Sequence, residues 1–440
     1  MQVANSASFS YGKFVDELRG AFDVHPSDKE LIRYTNGAAR EYLRENVDLH
    51  TRRQLGAFFS DPKHSQSLIQ PLTKALSYGK CVGDPACGAG DLLIECARYL
   101  PLGRTLSETL NQWSNIIFGA DISEEFVKAT KLRLAMIAVM RGNEWEPSLD
   151  PTTFFPFIIK YDGLAYHALF ERADIVVMNP PYTMVNTPPE VSWTNGAVSS
   201  AALFLDRAIL HRSKGQQIHC ILPEVIRCGS RYESLRVSLK NSFSSVSMKS
   251  IGRFDDWTDI DVFLLSLNKA ISQKKQSKKN KPSPLLRSTR RHQHTLGNQY
   301  DLTVGPVVPH RNTTKGPWRS LICTRTVTPW KEGTPSPSKV RFKGKLYTPP
   351  FVAIRRTSNP NDPYRAVASV VTGQKALAAE NHLILAIPYK GGLKACRRLV
   401  RFLKSAKSNK QLNRRMRCRH LTIGSLSRLS LPRQKLGSVK

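Results

Sequence analysis

The stretch of this sequence best suited to chemistry is Asn179-Pro180-Pro181-Tyr182. It directly follows the apolar run Ala173-Asp174-Ile175-Val176-Val177-Met178, which reads as a buried strand, so the four residues fall where such a strand ends. The two prolines fix φ and stiffen the loop. The Asn179 amide oxygen and the Pro180 carbonyl can each accept one hydrogen of a planar amino group. Holding both hydrogens aims the nitrogen lone pair outward without removing a proton first, so the rate gain is one of positioning. The Tyr182 ring can stack on a planar base, a contact worth about 1–3 kcal/mol. The plain alternative is a Pro-Pro turn capped by asparagine, and the place of the motif after a strand weighs against it.

Three further acids sit at comparable places. Asp84-Pro85-Ala86-Cys87-Gly88-Ala89-Gly90 lies between a short strand and a helix beginning near Asp91. A glycine-rich turn there lets backbone approach a ligand at the carboxyl end of a parallel strand. It lacks the G-x-x-x-x-G-K-[ST] pattern, so a nucleoside triphosphate is not indicated. About 30 residues on, Ile116-Ile117-Phe118-Gly119-Ala120-Asp121 ends in an acid that can accept from ribose hydroxyls. Asp162-Gly163 precedes the run at 173–178 and could hydrogen-bond an adenine ring. A glycine-rich turn alone is often only a turn. The ordered set carries the argument.

These loops require a scaffold, and the sequence supplies an α/β pattern. From about residue 51, short apolar strands alternate with helix-length amphipathic segments, which predicts a parallel sheet. Ser123 begins a helix over 123–140; a second helix spans 198–213; strands follow near 218–222, 249–253 and 262–265. Residues 1–50 read as a helical segment and 51–268 as the catalytic domain. Residues 269–440 form a basic domain of mainly β or mixed structure, with short β-like runs at 303–308 and 350–355 and a helical stretch from 391. The run 274–282 reads as an exposed linker.

Charge divides the chain at the same place. Residues 269–440 hold 38 Lys+Arg and 4 Asp+Glu, a balance of +34, whereas 1–268 hold 28 basic and 30 acidic residues, a balance of −2. A segment this basic meets nucleic acid through its phosphates. Ribosomal or anionic-membrane association is the rival reading of charge alone. No apolar run approaches the roughly 18 residues of a membrane span. The start, Met1-Gln2-Val3-Ala4-Asn5, lacks the order of a secretory signal. The eight cysteines contain no Cys-x-x-Cys pair, so neither a metal site nor a disulfide framework is expected and a cytoplasmic location fits.

In these motifs the chain, over about 50–268, resembles the class I S-adenosylmethionine-dependent DNA adenine-N6 methyltransferases of restriction–modification systems. The resemblance implies a Rossmann-like methyltransferase domain with a target-recognition domain. It implies that Asp84, Pro85, Ala86, Gly88 and Gly90 wrap the methionine end of S-adenosylmethionine. It assigns Asp121 to the ribose, Ile122 to the face of the cofactor adenine and Asp162 to its amino group. It makes Asn179 through Tyr182 the catalytic loop, with Asn179 also near the cofactor. The upstream segment Gly56-Ala57-Phe58-Phe59-Ser60-Asp61-Pro62 would line the cofactor through Ser60, although Asp61 is inserted before the proline. Phe254 would stack on the second face of a flipped base. The motif order, cofactor loop, catalytic loop, then basic region, matches the γ group.

The basic domain would hold double-stranded DNA while a base leaves the helix. Candidate contacts are Arg290, Arg291, His310, Arg311, Arg355, Arg356, Arg414, Arg415 and Arg417, none of them assignable to a base. The amino-group loop would equally serve N4-cytosine, RNA or protein glutamine, and the chain could be a DNA-binding modification subunit that needs partners. A separate cognate restriction endonuclease is the expected partner, with a solitary enzyme as the alternative. The sequence assigns no oligomeric state.

Overall fold

The structure, a computed structural model, describes residues 2–56, 58–255, 260–270, 294–309 and 316–432, with backbone alone for 2–10 and 53–55. The chain divides into two compact units, Met1–Arg227 with Arg231–Lys278, and Cys228–Ser230 with Lys279–Lys440.

The first unit is built on a seven-stranded sheet. Its strands are β1 (Val82–Asp84), β2 (Ile117–Asp121), β3 (Ile158–Lys160), β4 (Ile175–Met178), β7 (Gln217–Pro223), β8 (Phe243–Arg253) and β9 (Asp261–Ala270); β5 (Met184–Asn186) and β6 (Ala197–Ser199) form a separate hairpin. The order is β3-β2-β1-β4-β7-β9-β8. Neighbours from β3 to β7 run parallel, while β9 is antiparallel to both β7 and β8. The strand order reverses between β1 and β4, which opens a crevice at their carboxyl ends. Ile158-Ile159-Lys160 was not anticipated as a strand, and it places Asp162 just after β3.

The period of two along the strands builds a core on each face. Ile175 and Val177 of β4, Ile221 of β7 and Val262 and Leu264 of β9 enter one core. Val176, Met178, Cys220, Leu222, Phe263 and Leu265 enter the other. The first core is covered by α1 (Gln2–Asp23), α2 (Asp28–Thr35), α3 (Ala38–Asn46), α5 (Pro62–Ile69), α7 (Asp91–Ala97), α8 (Leu106–Ser114) and α9 (Glu124–Met140); α4 (Leu49–Leu55) and α6 (Thr73–Ser77) lie between them in sequence. The second is covered by α10 (His167–Arg172), α11 (Ser200–Leu210) and α13 (Glu233–Ser242), with α12 (Glu224–Cys228) preceding α13. Ser123 caps α9 by accepting from the Phe126 N–H. The helices of residues 2–50 belong to the same compact unit as the sheet, and α1 and α2 pack on α9.

The second unit holds a five-stranded sheet and a three-stranded one. In chain order its strands are β10 (Tyr300–Val304), β11 (Trp318–Ile322), β12 (Glu332–Gly333), β13 (Ser338–Arg341), β14 (Phe351–Arg355), β15 (Ala368–Val371), β16 (Ala378–Ala379) and β17 (Leu383–Pro388). The larger sheet runs β10-β17-β14-β15-β12 and the smaller β13-β11-β16. The helices are α14 (Leu296–Gln299), α15 (Gly392–Leu403), α16 (Ala406–Arg415) and α17 (Ile423–Ser427). Val352, Ile354, Ile384 and Ala386 face the helices, and Phe351, Ala353, Leu383 and Leu385 face a second apolar cluster. The mixed β-rich architecture expected for the basic region is present.

Candidate active site

Four chain segments meet at the carboxyl ends of β1, β2, β3 and β4. Asp84 closes β1, is 2% exposed and accepts from the Ala86 N–H at 3.0 Å. Burial pushes its carboxyl up to about 8. The chain then turns through Gly88 (φ 53°) and Gly90 (φ 88°) into α7, with Pro85 buried and Ala86 half-buried. Helix α9 holds this turn from behind. Thr130 donates to the Gly88 carbonyl at 2.9 Å. Arg133, 1% exposed, donates to the Ala89 carbonyl, to Asp91 at 2.9 Å and to the Tyr34 carbonyl at 2.8 Å. Neither side chain was singled out from sequence, although an arginine inside the otherwise apolar run Leu132–Met140 is a readable signal.

Asp121 ends β2. Its two carboxylate oxygens accept from the Gly88 N–H at 3.0 Å and the Ser123 N–H at 2.9 Å. Burial raises it to about 6, against the pull of these backbone donors. Ile122 beside it is 63% exposed, an apolar surface at the edge of the site. Asp162 is exposed and accepts from the Leu164 N–H at 2.9 Å. Its turn lies against the cofactor-type loop so closely that a Cβ on Gly163 would stand 1.6 Å from the Pro85 carbonyl oxygen.

The Asn179–Tyr182 loop leaves β4 next to these. Asn179 donates through Nδ2 to Ser60 Oγ at 2.9 Å and to the Phe58 carbonyl at 3.3 Å. Ser60, expected to line a cofactor, is 3% exposed and fixes the Asn179 amide. The inserted Asp61 caps α5: it accepts from the Lys63 N–H, with Pro62 in the first turn, and pairs with Arg40 at 2.5 Å. Gly56 touches Pro181: at φ 65°, a Cβ there would meet Pro181 Cβ at 2.2 Å. Ser200 donates to the Pro181 carbonyl at 2.5 Å, while the Pro180 carbonyl receives no hydrogen bond among the described residues.

Tyr182 is not a free platform. Its hydroxyl donates to Asn179 Oδ1 at 2.7 Å and to the Ile221 carbonyl at 3.3 Å. Its ring packs against both cores and meets Phe254 edge-on, with centroids 5.8 Å apart at 78°. Phe254 is 2% exposed, so neither of its faces is open to a base in this conformation. Burying the area of both rings stabilises the fold, which accounts for the inward packing.

The arginine clusters distribute differently from expectation. Arg290, Arg291, His310 and Arg311 lie outside the described residues. Arg355 and Arg356 are half-buried and donate to the Thr324 and Asn381 carbonyls, at 3.0 and 3.4 Å. Arg415 donates to the Arg428 carbonyl, and Arg417 is half-buried. Of these five described arginines, Arg414 alone is exposed. A guanidinium folded onto backbone satisfies the fold first, which a charge count cannot reveal.

Residues 33–210 match the family model described as N-6 DNA Methylase. No curated protein matches the chain. Among solved structures, the chain is similar to the Type IIL restriction-modification enzyme MmeI in complex with DNA, at 14% identity and TM-score 0.52, over 89% of this chain and 69% of that one. It is also similar to the type IIG restriction endonuclease BpuSI, at 13% identity and TM-score 0.42, over 100% and 71%. A modification subunit described as that of a type I restriction enzyme from Vibrio vulnificus YJ016 aligns at 18% identity and TM-score 0.39, over 55% and 50%. The likeness to the first establishes the fold, and the matched segment contains every loop of the site built above except Phe254. Over residues 33–210 the chain is thus similar to the N-6 DNA methylases.

Proposed function

We propose that the chain transfers a methyl group from S-adenosylmethionine to the N6 amino group of adenine in double-stranded DNA, and that the mark protects that DNA from a cognate restriction endonuclease. The observation that supports this best is the fixed Asn179 amide. Its nitrogen is committed to Ser60 and Phe58, which fixes the amide, and the Pro180 carbonyl beside it receives no hydrogen bond among the described residues. Two neighbouring acceptors are what a planar amino group requires.

The residues at the strand ends suit the cofactor. Asp84 and Asp121 are acids whose ionisation is disfavoured by burial, so a cation beside them restores their charge. The exposed Ile122 offers a surface for a ring, and Asp162 an acceptor for an amino group. When bound, S-adenosylmethionine supplies an electrophilic methyl on a good leaving group. Asn179 and Pro180 then hold the target nitrogen in line with it, and no side chain has to act as a strong base. An asparagine oxygen carries two lone pairs, so Oδ1 can take the amino hydrogen as Tyr182 gives up its contact. Tyr182 would turn its ring to the base, and Phe254 would follow on the other face.

The test is isotopic methyl transfer to duplex DNA by the unaltered chain and by Asn179→Ala. Transfer that falls at least a hundredfold while duplex binding persists supports the reading. Equal transfer by both proteins removes Asn179 from the chemistry. Absence of transfer by the unaltered chain, with binding intact, points to a modification subunit that needs partners.

A further inference from the structure

The second unit carries a cleft of about 670 Å³ whose wall is strongly cationic. Tyr389, Lys390, Lys394, Arg397, Arg398 and Arg401 line it. The last four lie on α15 at spacings of three and four residues, so they form one stripe along the helix. The opposite face of α15 is apolar and buried through Ala395, Cys396, Leu399, Phe402 and Leu403, which anchors the helix on its sheet. None of these cations falls in the short arginine clusters that the sequence draws attention to.

The stripe has no acidic counterpart of its own size. Glu332 holds Arg397 with two contacts of 2.6 and 2.7 Å. Arg398 donates to Gln299 at 3.3 Å. Lys390, Lys394 and Arg401 are exposed, and among the described residues none lies within ion-pair distance of a carboxylate. Tyr389 is 62% exposed beside them. With four acids in the whole of 269–440, the surface calls for an external polyanion.

We infer that the cationic face of α15 is a docking surface for the phosphates of duplex DNA, gripping the backbone without reading sequence. The inference rests on DNA being the substrate and names a surface that holds it. From Lys394 to Arg401 the stripe spans seven residues, about 10 Å of helix. That matches about three phosphate-to-phosphate steps of one strand, each roughly 3.4 Å along the duplex axis. A straight, rigid row of charges suits a regular duplex. Single strands are held on several aromatic platforms, and this cleft presents one exposed ring.

The experiment measures association of a labelled duplex with the full chain over a range of salt. The unaltered protein is compared with the triple variant Lys390→Gln, Lys394→Gln, Arg401→Gln. A second triple, Lys339→Gln, Lys343→Gln, Lys345→Gln, removes three exposed cations elsewhere in the same unit. Each phosphate contact contributes about 0.9 to the slope of log K against log salt, so the first triple lowers the slope by about 2–3. It does so equally for duplexes of unrelated sequence, and the second triple leaves the slope in place. An unchanged slope overturns the inference. So does a loss confined to one duplex sequence, or a larger loss on RNA than on duplex DNA. Thermal melting checks folding, and Lys394→Glu alone replaces the first triple if that protein does not fold. Methyl transfer is read separately. A chain that shows the slope change and transfers no methyl group contradicts the enzymatic reading alone; one that methylates DNA with an unchanged slope contradicts the α15 surface alone.

Discussion

At the scale of single residues, Asn179 is fixed on one side and engaged on the other. Ser60 and Phe58 take its amide hydrogens, and the Tyr182 hydroxyl occupies one lone pair of its oxygen. Tyr182→Phe therefore frees that oxygen and keeps the ring. We expect methyl transfer within about threefold of the unaltered protein, whereas Tyr182→Ala, which loses about 1–3 kcal/mol of stacking, lowers kcat/KM by roughly 5- to 150-fold. Steady-state kinetics on duplex DNA separate the two. Asp84 gives a second prediction. Its carboxyl is raised from 3.8 to about 8, so from about pH 4 upward the folded chain keeps a proton that the unfolded chain releases. Stability without ligand falls as pH rises through that window. Asp84→Asn removes the effect, so its Tm exceeds that of the unaltered protein at pH 8 and the difference closes toward pH 4. The same variant loses cofactor affinity. In the unaltered protein that affinity for a cationic ligand grows between pH 6 and 8, as Asp121 and then Asp84 ionise. Melting curves and calorimetric titrations at the two pH values read both effects.

At the scale of elements, the loops depend on what lies behind them. Arg133 joins α9, the Tyr34 carbonyl of α2 and the glycine turn in one buried knot. Arg133→Met leaves the half-buried Asp91 without its cation, and loss of one partner of a buried pair costs about 3–5 kcal/mol at most. The double change Arg133→Met with Asp91→Leu recovers most of that stability but not cofactor affinity, because the Ala89 carbonyl remains untethered. Denaturant unfolding with ligand titration distinguishes these outcomes. Much of this scaffold was legible beforehand. The runs at 117–121 and 175–178 and the helix from Ser123 show the periods of buried strand and capped helix. Strand β3 escaped because three residues ending in a lysine carry no period. Strands β8 and β9 extend well beyond the runs anticipated, because antiparallel pairing carries half-polar residues such as Ser245 and Asn268. The bond of Ser60 to Asn179 and the contacts of Tyr182 with Ile221 and Phe254 are long-range ones that no local pattern encodes. Phe254 stood out as an aromatic, and only its burial against Tyr182 shows that stacking on a base requires it to move.

At the scale of the whole molecule, charge divides the chain. Residues 1–268 are near neutral and contain the loops proposed to act on the methyl group; residues 269–440 carry a balance of +34. The division was visible by counting. The face that uses the charge was not, because a helical stripe at three- and four-residue spacing looks unlike a run. A polyanion held this way is released by salt, and six to ten phosphate contacts imply a loss of about 10³–10⁵ in affinity between 50 and 200 mM. The central claim concerns which atom is modified. Duplex DNA incubated with the full chain and S-adenosylmethionine, then digested to nucleosides and analysed by mass spectrometry, answers it directly. The account predicts N6-methyladenine, absent when Asn179→Ala replaces the unaltered chain. N4-methylcytosine as the product, or N6-methyladenine formed equally by the Asn179→Ala protein, would contradict it.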